Sequence, residues 1–455
     1  MGQAKTVAII GGGPVGLAAA AHVLECGLTP IVLEAGPAIG HAMRQWSHVQ
    51  LFSPWEYNVD KAAERLLAPT GWNSPEPSYY PTGGEVLAHY LEPLASRTVL
   101  KDHIHTSSRV TDISRVGFDK LKTKGRSDAP FELRYQNGQG PKSIRADAVI
   151  DASGTWFSPN PGGANGLPAL GERENPAKIA YGMPDVLGKD RARYAGETTA
   201  VLGAGHSAVG TLIELTRLKS QAVGTEVIWV LRGNDPSKAF GGGVNDKLVA
   251  RGELGLALAA LVNSGQIRVE AGFPLNRIDR DGERLKLGAA GGCGRSITAD
   301  ELIIATGFRS DLGFLRELRI QLDPAIECPI RLAPLIDPNE HSCGTVRPHG
   351  AAELAQDEPG LYFAGMKSYG RAPTFLMLTG YEQVRSIAAK IAGDEEAAAR
   401  VELVLPETGV CSRSAVPGQA ECRGGPAIER ADACCVDDAM AKDAGKARCG
   451  CGTGS

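Results

Sequence analysis

The same glycine arrangement occurs twice in this sequence. Residues 6–36 read TVAIIGGGPVGLAAAAHVLECGLTPIVLEAG, and residues 198–233 read TTAVLGAGHSAVGTLIELTRLKSQAVGTEVIWVLRG. Each time, an apolar run ends in a glycine turn, a helical stretch follows, Ala/Leu-rich in the first unit, and a second apolar run closes the unit. Gly11 permits the tight turn, Gly13 lets the backbone approach a pyrophosphate, and Gly16 lets the helix lie close on its strand. Gly203, Gly205 and Ala208 stand in the same places in the second unit, with Ser207 among them. The chemistry expected is anion binding, because unpaired N–H groups and the helix dipole favour phosphate at a helix N-terminus. With 57 glycines in 455 residues the bare pattern recurs by chance, so the strand–turn–helix–strand context carries the reading.

The two units differ where the second strand ends. Glu34 closes the first, where a carboxylate can accept hydrogen bonds from ribose hydroxyls; a surface glutamate beside an ordinary glycine turn is the plainer alternative. Arg232 closes the second, and a guanidinium suits a 2′-phosphate that a carboxylate would repel. One charged hydrogen bond of about 1.5–3 kcal/mol corresponds to roughly ten- to hundredfold preference for NADPH over NADH. An exposed arginine without a ligand is the alternative there. Opposite end residues imply two different dinucleotides, FAD at the first unit and NADPH at the second. The implied reaction is hydride transfer from nicotinamide C4 to flavin N5 across ~3.5 Å.

Other stretches must position these units. RADAVIDASGTW (145–156) and ADELIIATGFRSD (299–311) each read as a buried strand ending in a small-residue turn, at Gly154 and Gly307. They bracket an inserted domain, entered through the Pro/Gly-rich SPNPGGANGLPALG (158–171). Residues 359–394 offer a returning strand, a turn at Gly365 and a terminal helix, expected to aim its N-terminal dipole at the flavin pyrimidine ring. The fold expected is α/β, with two Rossmann-like three-layer dinucleotide-binding domains, the NADPH domain inserted into the FAD domain, and a disordered Cys-rich C-terminal tail. The boundaries are 1–160 and 313–395 for FAD, 161–312 for NADPH, and 396–455 for the tail.

The run HAMRQWSHVQLFSPWEYN (41–58) supplies Arg44, Trp46, Ser53 and Trp55 as candidates for the flavin edge, or else a buried loop packed by two tryptophans. Val110 joins the cofactor contacts expected of the first domain. NEHSCGTVRPHG (339–350) gathers His341, Cys343 and His349, able to transfer protons or hold a soft ion, or simply to pack. His341, Cys343 and Arg44 are the catalytic candidates. In the tail, Cys434, Cys435, Cys449 and Cys451 do not have zinc-finger spacing and suit As(III), Hg(II) or Cu(I); thiols with no function are the alternative.

Composition narrows the partners. A net charge of −4, from 48 basic and 52 acidic residues, gives no reason to expect nucleic acid or an anionic membrane. No apolar run approaches the ~20 residues of a membrane span, so the expectation is a soluble cytoplasmic protein with a small-molecule substrate, a homodimer being left open. Only Cys26, Cys293, Cys328 and Cys343 precede position 400, so disulfides do not build the globular part.

On GGGPVG with Glu34, GAGHSAVG with Arg232, the Ala305–Gly307 turn and GLYFAG, residues 5–394 resemble the two-dinucleotide flavoproteins. Among these are the flavin-containing monooxygenase, N-hydroxylating and thioredoxin-reductase-like groups. The sequence departs from them at three points. No cysteine lies between Cys26 and Cys293, which argues against a dithiol relay beside the flavin. The monooxygenase fingerprint F-x-G-x-x-x-H does not precede the second glycine turn. Met366 follows Gly365 where an Asp commonly meets the ribityl chain, leaving Gly365 and its neighbouring amides to serve. More narrowly, QLFSPWEYNVD, HSCGTVRPHGAAEL, KSYGRAPTFLMLTGYEQVR and VELVLPETGVCS resemble flavin-binding monooxygenase-like proteins of bacterial arsenic-resistance operons. The resemblance implies an NADPH-dependent flavin monooxygenase acting on a small soft nucleophile or metalloid compound. A reductase feeding a thiol-bound metal or metalloid, and a non-catalytic metalloid-binding or redox-sensing flavoprotein, are the other readings.

Overall fold

The computed structural model describes residues 4–241, 249–291, 294–338, 348–372 and 375–403. His341, Cys343, Cys434, Cys435, Cys449 and Cys451 lie outside the described residues.

The first glycine unit forms β1 (Thr6–Ile10), helix α1 (Pro14–Glu25) and β2 (Thr29–Leu33). The helix is buried from Val15 to Val23, which its run of alanines permits because their small side chains let neighbours approach from several sides. A helical excursion follows, and the chain re-enters beside β2 as β3 (Ile104–His105). An antiparallel meander of β4 (Arg109–Arg115), β5 (Phe131–Gln136) and β6 (Pro141–Ala146) leads to β7 (Ala148–Asp151), which pairs with β1.

The second unit repeats this plan. Strand β8 (Ile179–Tyr181) precedes β9 (Thr198–Leu202), helix α2 (His206–Gln221), β10 (Glu226–Val230), helix α3 (Val249–Asn263) and β11 (Arg268–Glu270). A second meander, β12 (Leu275–Asp281), β13 (Arg284–Ala289) and β14 (Ser296–Ala299), leads to β15 (Glu301–Ile304) beside β9. The chain then returns to the first sheet as β16 (Leu361–Phe363), followed by helix α4 (Met377–Ala392).

The result is two five-stranded parallel sheets, ordered β16-β7-β1-β2-β3 and β11-β10-β9-β15-β8. Both are covered on two faces: helices pack on one side and the antiparallel meander on the other, giving separate apolar clusters above and below each sheet. That double cover explains why β7 (AVID) and β15 (ELII) are buried at every position. The α/β, three-layer, twice-repeated architecture expected from the sequence is therefore present. No helix among the described residues is long and apolar enough to cross a membrane.

Two linkers join the sheets, and they pair with each other. Pro159 and Phe308 form an antiparallel bridge, Asn160 N donates to Gly307 O at 2.9 Å, and Arg309 N donates to Ser158 O at 2.8 Å. Glu172 gathers the entry linker by accepting from the amides of Gly162 and Ala169 and from the Tyr181 hydroxyl.

Candidate functional site

The two glycine turns are built alike. Gly11 N donates to Leu33 O and Gly203 N to Val230 O. Ala152 N reaches Ile10 O, and Ala305 N reaches Leu202 O. Gly11 (φ +102°) and Gly203 (φ +145°) both occupy backbone conformations open to glycine, and a Cβ would fall 2.7 Å from Ala152 O and 2.3 Å from Ala305 O respectively. Gly16 is closer still, with its Cβ position 1.9 Å from Gly11 O, whereas the second unit tolerates a buried Ala208. Gly154 and Gly307, each two residues after the matching alanine, take positive φ of +69° and +90°.

A phosphate fits these turns. Neither α1 nor α2 has a side-chain cap at its N-terminus, and a Cβ at Gly13 or Gly205 would meet nothing within 4 Å. Among the described residues nothing crowds the Cβ positions at these two helix N-termini, where a phosphate would be received. Ser207 occupies the second position of α2, half-buried.

The ends of the second strands differ by more than charge. Glu34 is buried, with Oε2 accepting from Gly12 N at 2.8 Å and Oε1 from Gly36 N at 2.7 Å, which orients the carboxylate and leaves further lone pairs for ribose hydroxyls. By strand register its counterpart is Leu231, buried and apolar; Arg232 lies one residue farther on, exposed, with Nη1 on Ala164 O of the entry linker at 3.1 Å. The second unit thus has no carboxylate at this register and a guanidinium one residue beyond it. Val110 sits on β4 opposite Tyr135, two residues after Ser108, whose N–H donates to Glu34 O.

A family model described as pyridine nucleotide-disulphide oxidoreductase matches residues 8–330. The chain belongs to this family. It is an FAD- and NAD(P)H-dependent oxidoreductase. Among solved structures, a bacillithiol disulfide reductase from Bacillus cereus aligns with TM-score 0.63 at 21% identity over 86% of this chain and 99% of that one. The FAD-bound cadaverine monooxygenase of desferrioxamine biosynthesis from Erwinia amylovora aligns with TM-score 0.61 at 13% identity over 92% and 100%. A flavin-containing monooxygenase from Stenotrophomonas maltophilia gives 0.53 at 21% over 86% and 99%. At these identities the likeness concerns the fold. No curated protein matches the sequence.

In this oxidoreductase several sequence-designated residues have other attachments. Arg44 pairs through Nη2 with Glu92 Oε1 at 2.7 Å and through Nε with Ile39 O at 3.2 Å, so its guanidinium is held at the excursion. Ser53 donates to Asn58 Oδ1 at 2.9 Å within a buried loop, and Asn58 returns bonds to Ser53 O and Pro54 O. Trp55 is buried against a hollow of 490 Å³ on the excursion, whose lining includes no glycine-turn residue. The Gly365 amide, expected to serve a cofactor, donates to Gln383 Oε1 at 2.7 Å. His349 is buried, with Nε2 facing Gln383 Nε2 at 2.8 Å, which takes that nitrogen out of any soft-ion site.

Trp46 packs on the first core and reaches the entry linker. Its ring lies 6.3 Å from Trp156, which stacks on Phe308 at 4.8 Å and donates through Nε1 to Gln45. Phe52 meets His206, the first residue of α2, at 5.4 Å. An open cleft of 290 Å³ beside Gln45 and Trp156 is also lined by Tyr181, Met183, Lys189 and Arg193.

Sequence reasoning missed a fully buried ion pair at the carboxyl end of the first sheet. Lys367 Nζ is 3.1 Å from Asp151 Oδ2, 3.3 Å from Ser153 Oγ, and hydrogen-bonded to Asp311 O. It ties both linkers to the strand ends. A lysine inside the apolar FAGMKSYG was the available signal. The free thiols among the described residues are Cys26 and Cys328. Burial, then Asp323, pushes the Cys328 thiol up to about 12. Burial, then Glu25, raises Cys26, which caps the far end of the 12-residue α1, ~18 Å along the helix from Gly13.

Proposed function

We propose that this protein is an NADPH-dependent flavin monooxygenase that oxygenates a small soft nucleophile. The observation that supports it is the pair of equivalent glycine turns whose neighbouring strand ends carry a buried carboxylate in one unit and an exposed guanidinium in the other. We assign residues 1–160 and 313–395 to FAD and 161–312 to NADPH. FAD, when bound, accepts a hydride from the nicotinamide and passes two electrons to an acceptor.

This chain's residues do the binding and positioning. Gly11, Gly13 and Gly16 shape the approach to the flavin pyrophosphate, Glu34 takes the ribose, and Val110 and Gly154 line the same side. Gly203, Gly205, Ser207 and Ala208 do the equivalent for NADPH, Arg232 takes the 2′-phosphate, and Gly307 closes the turn. Trp46, Trp156 and Phe308 exclude water between the two sheets. The overall balance is NADPH, H⁺, O₂ and the nucleophile giving NADP⁺, water and the oxygenated product. Metalloid compounds are the narrower substrate class we favour, on the resemblance of four long sequence segments to the arsenic-operon group. His341 and Cys343, eight and six residues before His349, are the proton-transfer candidates.

Anaerobic NADPH should reduce the bound flavin. Admitting oxygen with a sulfide, selenide or trivalent arsenic compound should give about one oxygenated product per NADPH. Peroxide as the sole product would defeat the proposal. A second reading, favoured by the tail thiols, is a reductase delivering electrons to metal or metalloid held by Cys434, Cys435, Cys449 and Cys451. Turnover that persists without oxygen and disappears on replacing Cys434 and Cys435 by Ser would favour it.

A further inference from the structure

The turn after β16 is fixed by a closed ring of three buried hydrogen bonds, from which a fourth branches to His349. Gly365 N donates to Gln383 Oε1 at 2.7 Å. Gln383 Nε2 lies 2.9 Å from Ser368 Oγ and 2.8 Å from His349 Nε2. Ser368 Oγ donates to Gly365 O at 2.7 Å. Gln383 and Ser368 are fully buried and His349 is 4% exposed.

Donors and acceptors in this circuit admit one assignment. A backbone amide can only donate, so the Gln383 oxygen must face Gly365 and its –NH₂ group must face Ser368 and His349. The Ser368 hydrogen is engaged by Gly365 O, so its oxygen accepts. His349 Nε2 must then accept as well, which makes the imidazole neutral with its hydrogen on Nδ1. A hydrogen on Nε2 would set two donors 2.8 Å apart in a buried place, turn Gln383 away and leave the Gly365 amide unpaired.

Gly365 has φ +65°, and a Cβ there would lie 3.2–3.3 Å from Val15 in the first turn of α1. A Cβ at Gly380 of α4 would fall 2.6 Å from Val15 as well. The Gly365 turn therefore packs directly on the first glycine cradle. We propose that His349 is a positioning residue: through Gln383 it holds the Gly365–Ser368 turn against the flavin cradle, and it does so only as the neutral Nδ1–H tautomer. This rests on the flavin reading of the first cradle.

Two measurements on the full chain test it. A ¹⁵N-histidine spectrum of the wild-type protein near pH 7.5, with His349 assigned by its loss in His349→Gln, should show the Nδ1–H tautomer; an Nε2–H tautomer or an imidazolium would overturn the inference whatever the variants do. His349→Leu should weaken FAD binding about tenfold and shift the flavin absorption bands, while His349→Gln, whose side-chain oxygen can accept from Gln383, should restore most of both. FAD affinity and spectrum equal to wild type in both variants would overturn the inference alone. A wild-type chain that takes up no FAD would overturn the flavin reading together with it.

Discussion

Trp156 stacks on Phe308 with ring centroids 4.8 Å apart, and each belongs to a different one of the two linkers that join the parallel sheets. The backbones of those linkers are bridged at Pro159 and Phe308, so the stack adds an apolar clamp to a short two-stranded connection. An aromatic pair of this kind is worth about 0.5–1.5 kcal/mol beyond its area. Trp156 also fixes Gln45, on the segment that follows the first cradle, through a 2.9 Å hydrogen bond. The clamp therefore bears on how the two cradles face each other.

Trp156→Ala is expected to slow flavin reduction by NADPH roughly ten- to hundredfold while leaving FAD content near wild type, since misplacement on the order of 1 Å costs that much in a transfer reaction. Trp156→Phe keeps the stack, loses the Gln45 bond and should fall between. Anaerobic stopped-flow reduction of the loaded protein reads this out directly. Equal rates in all three proteins would mean that the linker stack does not set the transfer geometry.

Arg232 is exposed and, among the described residues, bonds through one N–H group to Ala164 O, so the fork remains open to an anion. Its replacement by Ala should raise the KM for NADPH roughly ten- to hundredfold and leave that for NADH nearly unchanged. Matched KM series for the two coenzymes decide the matter. Parallel losses with both would mean that the residue supports the entry linker through Ala164 and does not read the 2′-phosphate.

The cradles were legible in the sequence because each is local: the glycine, helix and second strand fall within about 36 consecutive residues, and their spacing fixes the register. Even so, the neighbouring charge is offset, for Glu34 aligns with Leu231 and not with Arg232. What closes around the cradles was not legible. The sequence offers Ser53 and Arg44 to the flavin edge, but Ser53 bonds to Asn58 and Arg44 pairs with Glu92, 48 residues away. Lys367 meets Asp151 only because β16 is laid beside β7 after the second sheet has been completed, while Gln383 meets His349 across the returning strand and turn between them. Side-chain pairing across such an insertion leaves no periodic trace in the sequence.

Glu214, on the third turn of α2 behind the second cradle, makes the stability of that helix pH-dependent. Burial first, then the charge of Asp185, pushes its carboxyl up to about 7, against the opposing pull of Arg217. An unfolded glutamate titrates near ~4.3, so between about 4.3 and 7 the folded chain holds more protons than the unfolded one. The group's favourable contribution is accordingly complete below ~4.3 and is lost as pH rises through about 7. Glu214→Gln has no proton to lose. It should lie closer to the parent near pH 5 than near pH 8, where it should unfold later by roughly 2–4 °C, the size being moderated by partial solvent access. Thermal unfolding of both proteins at the two pH values is sufficient. A difference that is the same at pH 5 and pH 8 would show that Glu214 stays ionised in the folded chain throughout, and that the solvent reaching α2 screens it from Asp185.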